Sequence, residues 1–476
     1  MSLSCFRQMI AAAKENGSLF QSVIGEGVKI PGLYGDVALT YADYVASGRA
    51  LRQVEGYVQE HVLPFYANSH TESSFTGAHM TALRGQARAE IARLCGAGAD
   101  HAVVFAGSGA TAGINRLVSL FGVEEAQDPV VLIGPYEHHS NILPWRETKA
   151  RVIEIPEAPE GGPCLQRLAE VLMAHRGSDL IIGSFSAASN VTGIVTDTDA
   201  VTRLLKSHGA LAVWDYAGGG PYLPIDMAAG TDAQKDAIVV SPHKFPGGPG
   251  ASGVMIVNRG AVVAERPSWP GGGTVTYVSS QAHDYADSLE AREEAGTPNI
   301  IGDIRAALAF IVKDVIGTDE IAARETRYAA MGVAGWEGNA QIQLLGPQGG
   351  SRLPIFSFLM RDGRGQVVSP LLITMMLSDV YGVQVRGGCS CAGPYGHRLL
   401  GIDETLSRQM RDSIRAGITV EKPGWVRLNF SYMMDEATVA RIIAAVNDLT
   451  QTLDQHSCHY VIDAQTGQPT RVRPAA

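Results

Sequence analysis

Short apolar runs alternate with helical patterns between about residue 80 and residue 260, and this alternation is what most constrains the fold. The runs are rich in β-branched residues, as strands buried on both faces of a sheet are. Strand–helix alternation of this kind predicts an α/β domain built around a mostly parallel sheet. The predicted strands are AVVF (102–105), VVLI (130–133), LIIGSF (180–185), LAVW (211–214), AIVV (237–240) and GVMIV (253–257).

The pattern of predicted helices and strands changes after about residue 300. Helical patterns at 302–317, 370–382 and 435–456 are mixed there with strand-like runs at 353–360, 383–388 and 425–433. A chain of 476 residues is too long for one ordinary domain. We therefore predict a large α/β domain over residues 36–300 and a smaller α+β domain formed by residues 1–35 and 301–476.

The net charge and the cysteine content limit which partners and which cellular compartment we expect. The net charge of −10 argues against a nucleic-acid or anionic-membrane partner. Six cysteines in this length are typical of reduced thiols in a cytoplasmic protein rather than of a disulfide framework. The first residues lack the apolar core of a signal peptide, and no run reaches the roughly 18 apolar residues of a membrane helix. We expect a cytoplasmic protein that binds neither nucleic acid nor membrane.

Polar residues follow the predicted strands, where open α/β sheets bind their ligands. The first strand is followed by a Gly/Ser/Thr loop at a helix start, AGSGATAGIN (106–115), which suits a phosphate group. Asp215 follows the fourth strand, and Lys244 lies in a Gly/Pro-rich loop after the fifth, beside Ser241 and His243 as phosphate contacts. A phosphate loop, a lysine for an aldehyde and a carboxylate for a pyridine nitrogen together predict pyridoxal 5'-phosphate.

Six motifs along the chain strengthen this interpretation. In order, they are EHHSNILPW (137–145), SNVTG (189–193), SPHK (241–244), PGGGT (270–274), EAGTPN (294–299) and RGGCSCAGPYGH (386–397). In wording and order they resemble the class V aminotransferase family and, within it, the cysteine desulfurases and selenocysteine lyases. The resemblance extends over roughly residues 36–450. It implies a pyridoxal-phosphate-dependent transferase of fold type I and a homodimer with shared active sites.

The resemblance also implies a role for individual residues. Lys244 would bind the cofactor aldehyde and Asp215 the pyridine nitrogen, while His138 would stack on the ring and Asn190 would lie near the phenolic oxygen. Arg427, with Arg386, would bind the substrate α-carboxylate, and Cys391 would be the catalytic thiol. The phosphate would be held by Ala110, Thr111, Ser241 and His243, and by Thr274 reaching into the neighbouring subunit.

Two positions depart from the family pattern. Desulfurases of the family usually have Asp-Gly-Ala-Gln after the acidic strand, whereas this chain has DYAG, so that Gly218 replaces the glutamine. The two residues before the thiol are commonly histidines, whereas here they are Cys389 and Ser390. The first departure leaves the reaction type open, and the second creates a C-x-C pair in which Cys389 could resolve or accept a persulfide.

Several candidate site residues also have a purely structural interpretation. Lys244 could be a solvated loop lysine and Asp215 a helix cap, and either loop cysteine could be an inert hydrophobe. A metal site is not predicted: His138 and His139 lack a third ligand nearby, and Cys389, Cys391 and His397 lack the usual C-x₂-C spacing. The bounding Arg386 and the Gly/Pro-rich loop favour a reactive Cys391.

The resulting hypothesis is a cysteine desulfurase-like enzyme that converts L-cysteine to L-alanine and leaves a persulfide on Cys391. A sulfur-acceptor protein would then be a partner. A C–S β-lyase and a class V aminotransferase acting on another amino acid remain open alternatives with the same cofactor. A degenerate, non-catalytic sulfur carrier or scaffold is the alternative outside enzymes.

Overall fold

The structure is a computed structural model that describes residues 2–69, 72–347, 349–420 and 422–472. Strands and helices are numbered along the chain. The strands are β1 (Lys29–Gly32), β2 (Gly35–Ala38), β3 (Thr40–Tyr41), β4 (His101–Gly107), β5 (Pro129–Ile133), β6 (Arg151–Glu154), β7 (Leu180–Ser186), β8 (Leu211–Asp215), β9 (Ala237–Val240), β10 (Gly253–Asn258), β11 (Val275–Val278), β12 (His283–Tyr285), β13 (Ile342–Leu344), β14 (Ile355–Met360), β15 (Val383–Gln384), β16 (Arg386–Gly388), β17 (Trp425–Asn429), β18 (Tyr460–Ile462) and β19 (Pro469–Arg471).

The helices are distributed over the whole chain. They are α1 (Leu3–Glu15), α2 (Arg52–Tyr57), α3 (Phe75–Leu94), α4 (Gly109–Leu120), α5 (Leu143–Arg146), α6 (Leu165–Ala174), α7 (Thr198–Ser207), α8 (Leu289–Glu293), α9 (Ile300–Ile316), α10 (Thr318–Trp336), α11 (Pro370–Tyr381), α12 (Gly393–Leu399), α13 (Glu404–Arg415) and α14 (Glu436–Ser457). Within the described ranges, none of these helices combines the length and the hydropathy needed to cross a lipid bilayer.

The chain divides into two compact units. Unit 1 comprises residues 1–24, 47–188 and 195–321, and unit 2 comprises residues 25–46, 189–194 and 322–476. These bounds differ from the predicted division, which gave residues 1–35 and everything after 300 to the smaller domain. The difference arises because α1 and α3 both pack against the apolar helix α9, which keeps the N-terminal helix and residues 301–321 with unit 1.

The large sheet of unit 1 confirms the predicted α/β fold. Its strand order is β4–β10–β9–β8–β7–β5–β6. Strands β5 to β9 pair in parallel, whereas β10 runs antiparallel to both β4 and β9. Each apolar run predicted as a strand lies in this sheet, and the residues of β5, β8 and β9 are almost all buried. Parallel pairing brings the carboxyl ends of β5, β7, β8 and β9 to one edge of the sheet.

Unit 2 is built on a smaller antiparallel sheet of order β13–β14–β17–β16. Helices α11 and α14 pack together, and α11 also lies on β16 and β17. Trp336, Phe356, Phe358 and Phe430 form an aromatic centre in the core of this unit. The N-terminal strand β3 pairs in parallel with β15, which brings the segment around residue 43 beside β16 and β17.

Candidate active site

The start of α4 forms a close-packed loop with the segment after β9. The backbone N–H of Ala110 donates to Ser241 Oγ at 2.9 Å. Gly109 has φ +63°, and a methyl group there would lie 2.8 Å from Ser241 Oγ and 3.0 Å from His243 Cε1. Thr111 is exposed, and its hydroxyl lies 2.7 Å from the Ser140 hydroxyl. The residues predicted to bind phosphate therefore gather at one helix N-terminus, where only glycine fits the cramped position.

Asp215 and Lys244 follow neighbouring parallel strands. Asp215 ends β8, is 3 % exposed, and accepts a hydrogen bond from the Ala217 N–H at 2.7 Å on Oδ1. Burial raises the pKa of the Asp215 carboxyl, whereas the Ala217 bond and the positive charge of Lys244 act in the opposite direction. Lys244 ends a short 3₁₀ turn after β9 and is half-buried. A buried carboxyl of this kind favours a cationic partner.

Two histidines of this unit follow strands of the large sheet. His138 follows β5, and its Nδ1 accepts a hydrogen bond from the Ser140 N–H at 3.1 Å. His243 follows β9; burial, with a smaller effect of the Lys244 charge, lowers the pKa of His243 to about 4. The His243 imidazole is consequently neutral near pH 7.

Thr274 lies in the loop before β11. Its side chain is fully buried, and its hydroxyl donates to the Gly271 carbonyl at 2.7 Å. The hydroxyl is thus engaged within its own loop, and its predicted contact with the phosphate of a neighbouring subunit stays a prediction.

Glu137 is a buried carboxyl that the sequence analysis did not single out. Its Oε1 accepts from the Ser186 N–H at 2.8 Å, and its Oε2 accepts from the Ser186 hydroxyl and from Asn141 Nδ2, each at 2.6 Å. Burial raises the pKa of Glu137 to about 7; the three donors oppose this rise, and the charge of Asp215 adds to it. The sequence did contain a signal for Glu137, because an acidic residue in the loop after a buried strand lies at the ligand-binding edge of such sheets.

Arg427 and Arg386 share one carboxylate in unit 2. They are directly opposed on the paired strands β17 and β16. Asp43 lies between them: its Oδ1 is 2.8 Å from Arg427 Nη2, and its Oδ2 is 3.0 Å from Arg386 Nε. Arg427 is 3 % exposed and also donates from Nη1 to the Asn190 carbonyl at 3.1 Å. Asp43 therefore compensates two like charges on neighbouring strands and fixes the orientation of the buried guanidinium.

Cys391 is exposed and lies in a turn that is unusual for its residue types. The Ala392 N–H donates to the Cys389 carbonyl at 3.2 Å, and the two central residues, Ser390 and Cys391, have φ +51° and +56°. Positive φ at both central positions is typical of a type I′ turn, which prefers Gly, Asn or Asp. Any other residue type in this left-handed backbone conformation raises the free energy of the fold by roughly 1–2 kcal/mol. Asn190 Nδ2 donates to the Ser390 carbonyl at 2.9 Å and holds the turn in place.

Comparison with known proteins identifies the family of the chain. The sequence model of the aminotransferase class-V family matches residues 40–440. The chain belongs to the class-V aminotransferase family. A cysteine desulfurase of Escherichia coli is 30 % identical over 362 residues, which cover 75 % of this chain and 85 % of the relative. A probable cysteine desulfurase of Streptomyces coelicolor is 27 % identical over 369 residues, covering 75 % and 84 %.

Solved structures of cysteine desulfurases share the fold. A cysteine desulfurase from Thermococcus onnurineus matches with a TM-score of 0.71 at 20 % identity, covering 87 % of this chain and 95 % of that one. The cysteine desulfurase CsdA of Escherichia coli matches with a TM-score of 0.67 at 22 % identity, covering 87 % and 94 %. The predicted fold type I is confirmed.

Enzymes of this family depend on pyridoxal 5'-phosphate, and the residues present fit that cofactor. The absence of a side chain at Gly109 lets Ser241 and His243 pack against the start of α4, a helix N-terminus that suits a phosphate, and the buried Asp215 suits a pyridine nitrogen that carries a proton. The chain is a pyridoxal-phosphate-dependent enzyme.

Proposed function

We propose that this protein is a cysteine desulfurase, which converts L-cysteine to L-alanine and retains the sulfur as a persulfide on Cys391. One observation carries the proposal. Asn190 accepts a hydrogen bond from Arg427 on its backbone carbonyl and donates one to the Ser390 carbonyl from its side chain. A single residue thus ties a buried, carboxylate-binding arginine to the turn that presents an exposed thiol. An enzyme that only transfers an amino group has no need of that thiol. The desulfurase relatives support the same proposal.

The residues of unit 1 would hold the cofactor. Ala110, Thr111, Ser241 and His243 would bind its phosphate, Asp215 would face its pyridine nitrogen, and His138 would present its imidazole ring to the aromatic face of the cofactor. Bound there, pyridoxal phosphate supplies an electrophilic aldehyde and a ring that accepts electrons from the substrate Cα. Lys244 would bind the aldehyde between turnovers and move the Cα proton during them.

Arg427 would bind the α-carboxylate of L-cysteine with its planar fork, oriented by Asp43. The thiolate of Cys391 would then attack the sulfur of the substrate. A new S–S bond forms as the bond between substrate Cβ and sulfur breaks. The electron pair of the broken bond stays with the carbon fragment, which takes up a proton and leaves as L-alanine.

The proposal includes a cellular setting. We infer a homodimer in which Thr274 of one subunit reaches the phosphate site of the other, and a cytoplasmic location. The exposure of Cys391 would allow a sulfur-acceptor protein to reach the persulfide. The assignment of the cofactor to the larger domain and of the cysteine loop to the smaller one remains part of this proposal.

A product assay with purified holoenzyme, L-cysteine and a reductant tests the proposal. We expect alanine and sulfide in equal amounts, and a loss of at least about a hundredfold in the Cys391→Ser variant, because the attacking nucleophile is removed. Cys458→Ser is the matched control, since Cys458 is also exposed but lies at the end of α14. It should retain the activity of the unmodified protein.

A β-lyase is the second candidate, and Gly218 is the observation that favours it. Glycine at this position offers no side chain to the cofactor, where desulfurases of the family usually have glutamine. Pyruvate and ammonia in place of alanine, with activity retained in Cys391→Ser, would refute the desulfurase and establish the lyase.

A further inference from the structure

The turn that carries Cys391 contains a second thiol, Cys389, which the proposed desulfurase reaction does not use. Cys389 is the first residue of the turn and Cys391 is the third, and the carbonyl of Cys389 closes it with the Ala392 N–H at 3.2 Å. Cys391 is exposed and Cys389 is half-buried. The same backbone segment therefore presents one thiol to solvent and holds its neighbour back from it.

The folded turn brings these two residues to a separation that a disulfide can span. Consecutive Cα atoms are about 3.8 Å apart, so two such steps folded to near a right angle leave the outer Cα atoms roughly 5–6 Å apart. Disulfides usually join Cα atoms about 4.4–6.8 Å apart. The bond from Asn190 Nδ2 to the Ser390 carbonyl, at 2.9 Å, holds the central residue and so keeps the turn folded.

Cys95 of unit 1 contrasts with this pair of unit 2. Cys95 is fully buried, and burial raises its pKa to about 12, so that it stays a protonated, inert thiol. Only Ser390 separates Cys389 from Cys391 in the sequence, so the two thiols stay close together in every conformation of the protein. A persulfide formed on Cys391 thus always has a thiol beside it.

We propose that Cys389 resolves the persulfide of Cys391 and releases its outer sulfur as hydrosulfide; this inference rests on the proposed desulfurase function. The thiolate of Cys389 attacks Sγ of Cys391, and a Cys389–Cys391 disulfide forms. The bond between Cys391 Sγ and the outer sulfur breaks, and that sulfur leaves with the electron pair. The proton of the Cys389 thiol passes to solvent. The outer sulfur is reduced from the persulfide to the sulfide level, and the sulfur of Cys389 is oxidised from the thiol to the disulfide level, so the electrons balance within the turn.

The next turnover then requires a dithiol reductant, which returns the disulfide to two thiols by exchange. The enzyme would consequently release one equivalent of sulfide without any added thiol and then stop. A desulfurase with a single loop cysteine behaves differently, because its persulfide waits for an external acceptor.

A single-turnover experiment without reductant tests this inference. Holoenzyme, reduced and then freed of reductant, receives one equivalent of L-cysteine, and alanine and bimane-trapped sulfide are both measured. We expect a sulfide-to-alanine ratio near one, and a loop peptide about 2 Da lighter than its reduced form. In Cys389→Ser the ratio should fall at least about tenfold, and the peptide should be about 32 Da heavier, the mass of a retained sulfur. Cys164→Ser, another half-buried cysteine, is the matched control and should behave as the unmodified protein does.

A second measurement separates this inference from the proposed function. The resting holoenzyme is treated with one equivalent of disulfane (H₂S₂). The Cys391 thiolate takes up one sulfur of this reagent and one hydrosulfide leaves, so the persulfide forms without any turnover. Release of a second hydrosulfide and the lighter peptide, both lost in Cys389→Ser, would support resolution by Cys389 even if L-cysteine gave no alanine. A persulfide that persists equally in the unmodified protein and in Cys389→Ser would overturn the inference while leaving a measured alanine product intact.

Discussion

Substitution of Glu137 by glutamine should remove a pH dependence from the stability of the cofactor-free protein. An unfolded glutamate releases its proton near its ordinary pKa of 4.5, whereas burial in the folded protein raises the pKa of Glu137 to about 7. Between these values the folded state binds more protons than the unfolded state, so the contribution of Glu137 to stability falls as the pH rises. Each pH unit corresponds to about 1.4 kcal/mol, and an interval of roughly two and a half pH units gives about 3 kcal/mol. Glutamine cannot ionise and lacks this loss.

Urea unfolding followed by tryptophan fluorescence is a suitable assay. Trp145 is fully buried, and its Nε1 donates to Asn141 Oδ1 at 3.3 Å, so its emission reports on the cluster around Glu137. The advantage of the unmodified protein over Glu137→Gln should shrink by about 3 kcal/mol from about pH 5 to about pH 8. Glu147→Gln changes an exposed glutamate close to the same cluster and should give a constant difference. Parallel profiles for Glu137→Gln would refute the reasoning, and would mean that the three hydrogen-bond donors keep this carboxyl ionised throughout.

Two further substitutions probe the start of α4 and the buried Arg427. Gly109→Ala forces a side chain into the left-handed region and against Ser241 Oγ at 2.8 Å; the cost of roughly 1–2 kcal/mol should weaken pyridoxal phosphate binding about tenfold in a fluorescence titration. Gly98→Ala is the control, because a methyl group at Gly98 would have no neighbouring atom within 4 Å, and this variant should bind pyridoxal phosphate normally. Equal affinities of the two variants for pyridoxal phosphate would contradict this account. Asp43→Ala leaves the buried Arg427 without its carboxylate and should lower the free energy of unfolding by about 3–5 kcal/mol. Asp232→Ala breaks the exposed pair with Arg203 and should cost less than about 1 kcal/mol, and a similar small loss for Asp43→Ala would show that Arg427 finds water or another partner.

The alternation of apolar runs and helical periods was sufficient to predict the central sheet, because buried parallel strands are apolar on both faces and stand out from the helices between them. The same alternation did not predict β6. Its sequence RVIE lies at the edge of the sheet, where the first residue is exposed and the others are half-buried, so it is not a continuous apolar run. The sequence also could not predict that β10 runs antiparallel to its neighbours, since an apolar run has the same composition in either direction. Local patterns indicate which strands are buried, but not the direction in which each strand runs.

Long-range pairing limited what the sequence could reveal of the site. The segment 36–46 was assigned to the larger domain, but strand β3 pairs with β15, far along the chain. Asp43 was therefore missed, because nothing near it in sequence indicates two arginine partners. The turn at Cys391 was missed for another reason: Ser and Cys are not residues that type I′ turns prefer, so no turn signal was present.

The ion pairs that join Asp43 to Arg386 and Arg427 bear on the order in which the nascent chain can fold during synthesis. Asp43 precedes Arg386 by 343 residues and Arg427 by 384. Unit 1 has its last residue at Ile321, so it can fold while the partners of Asp43 are still unsynthesised. The segment around Asp43, which orients the buried Arg427, therefore stays without these partners until nearly the whole chain has been synthesised. Contacts between residues so far apart in sequence form late and slowly. The Asp43–Arg427 pair should accordingly be among the last parts of the nascent protein to acquire its native form.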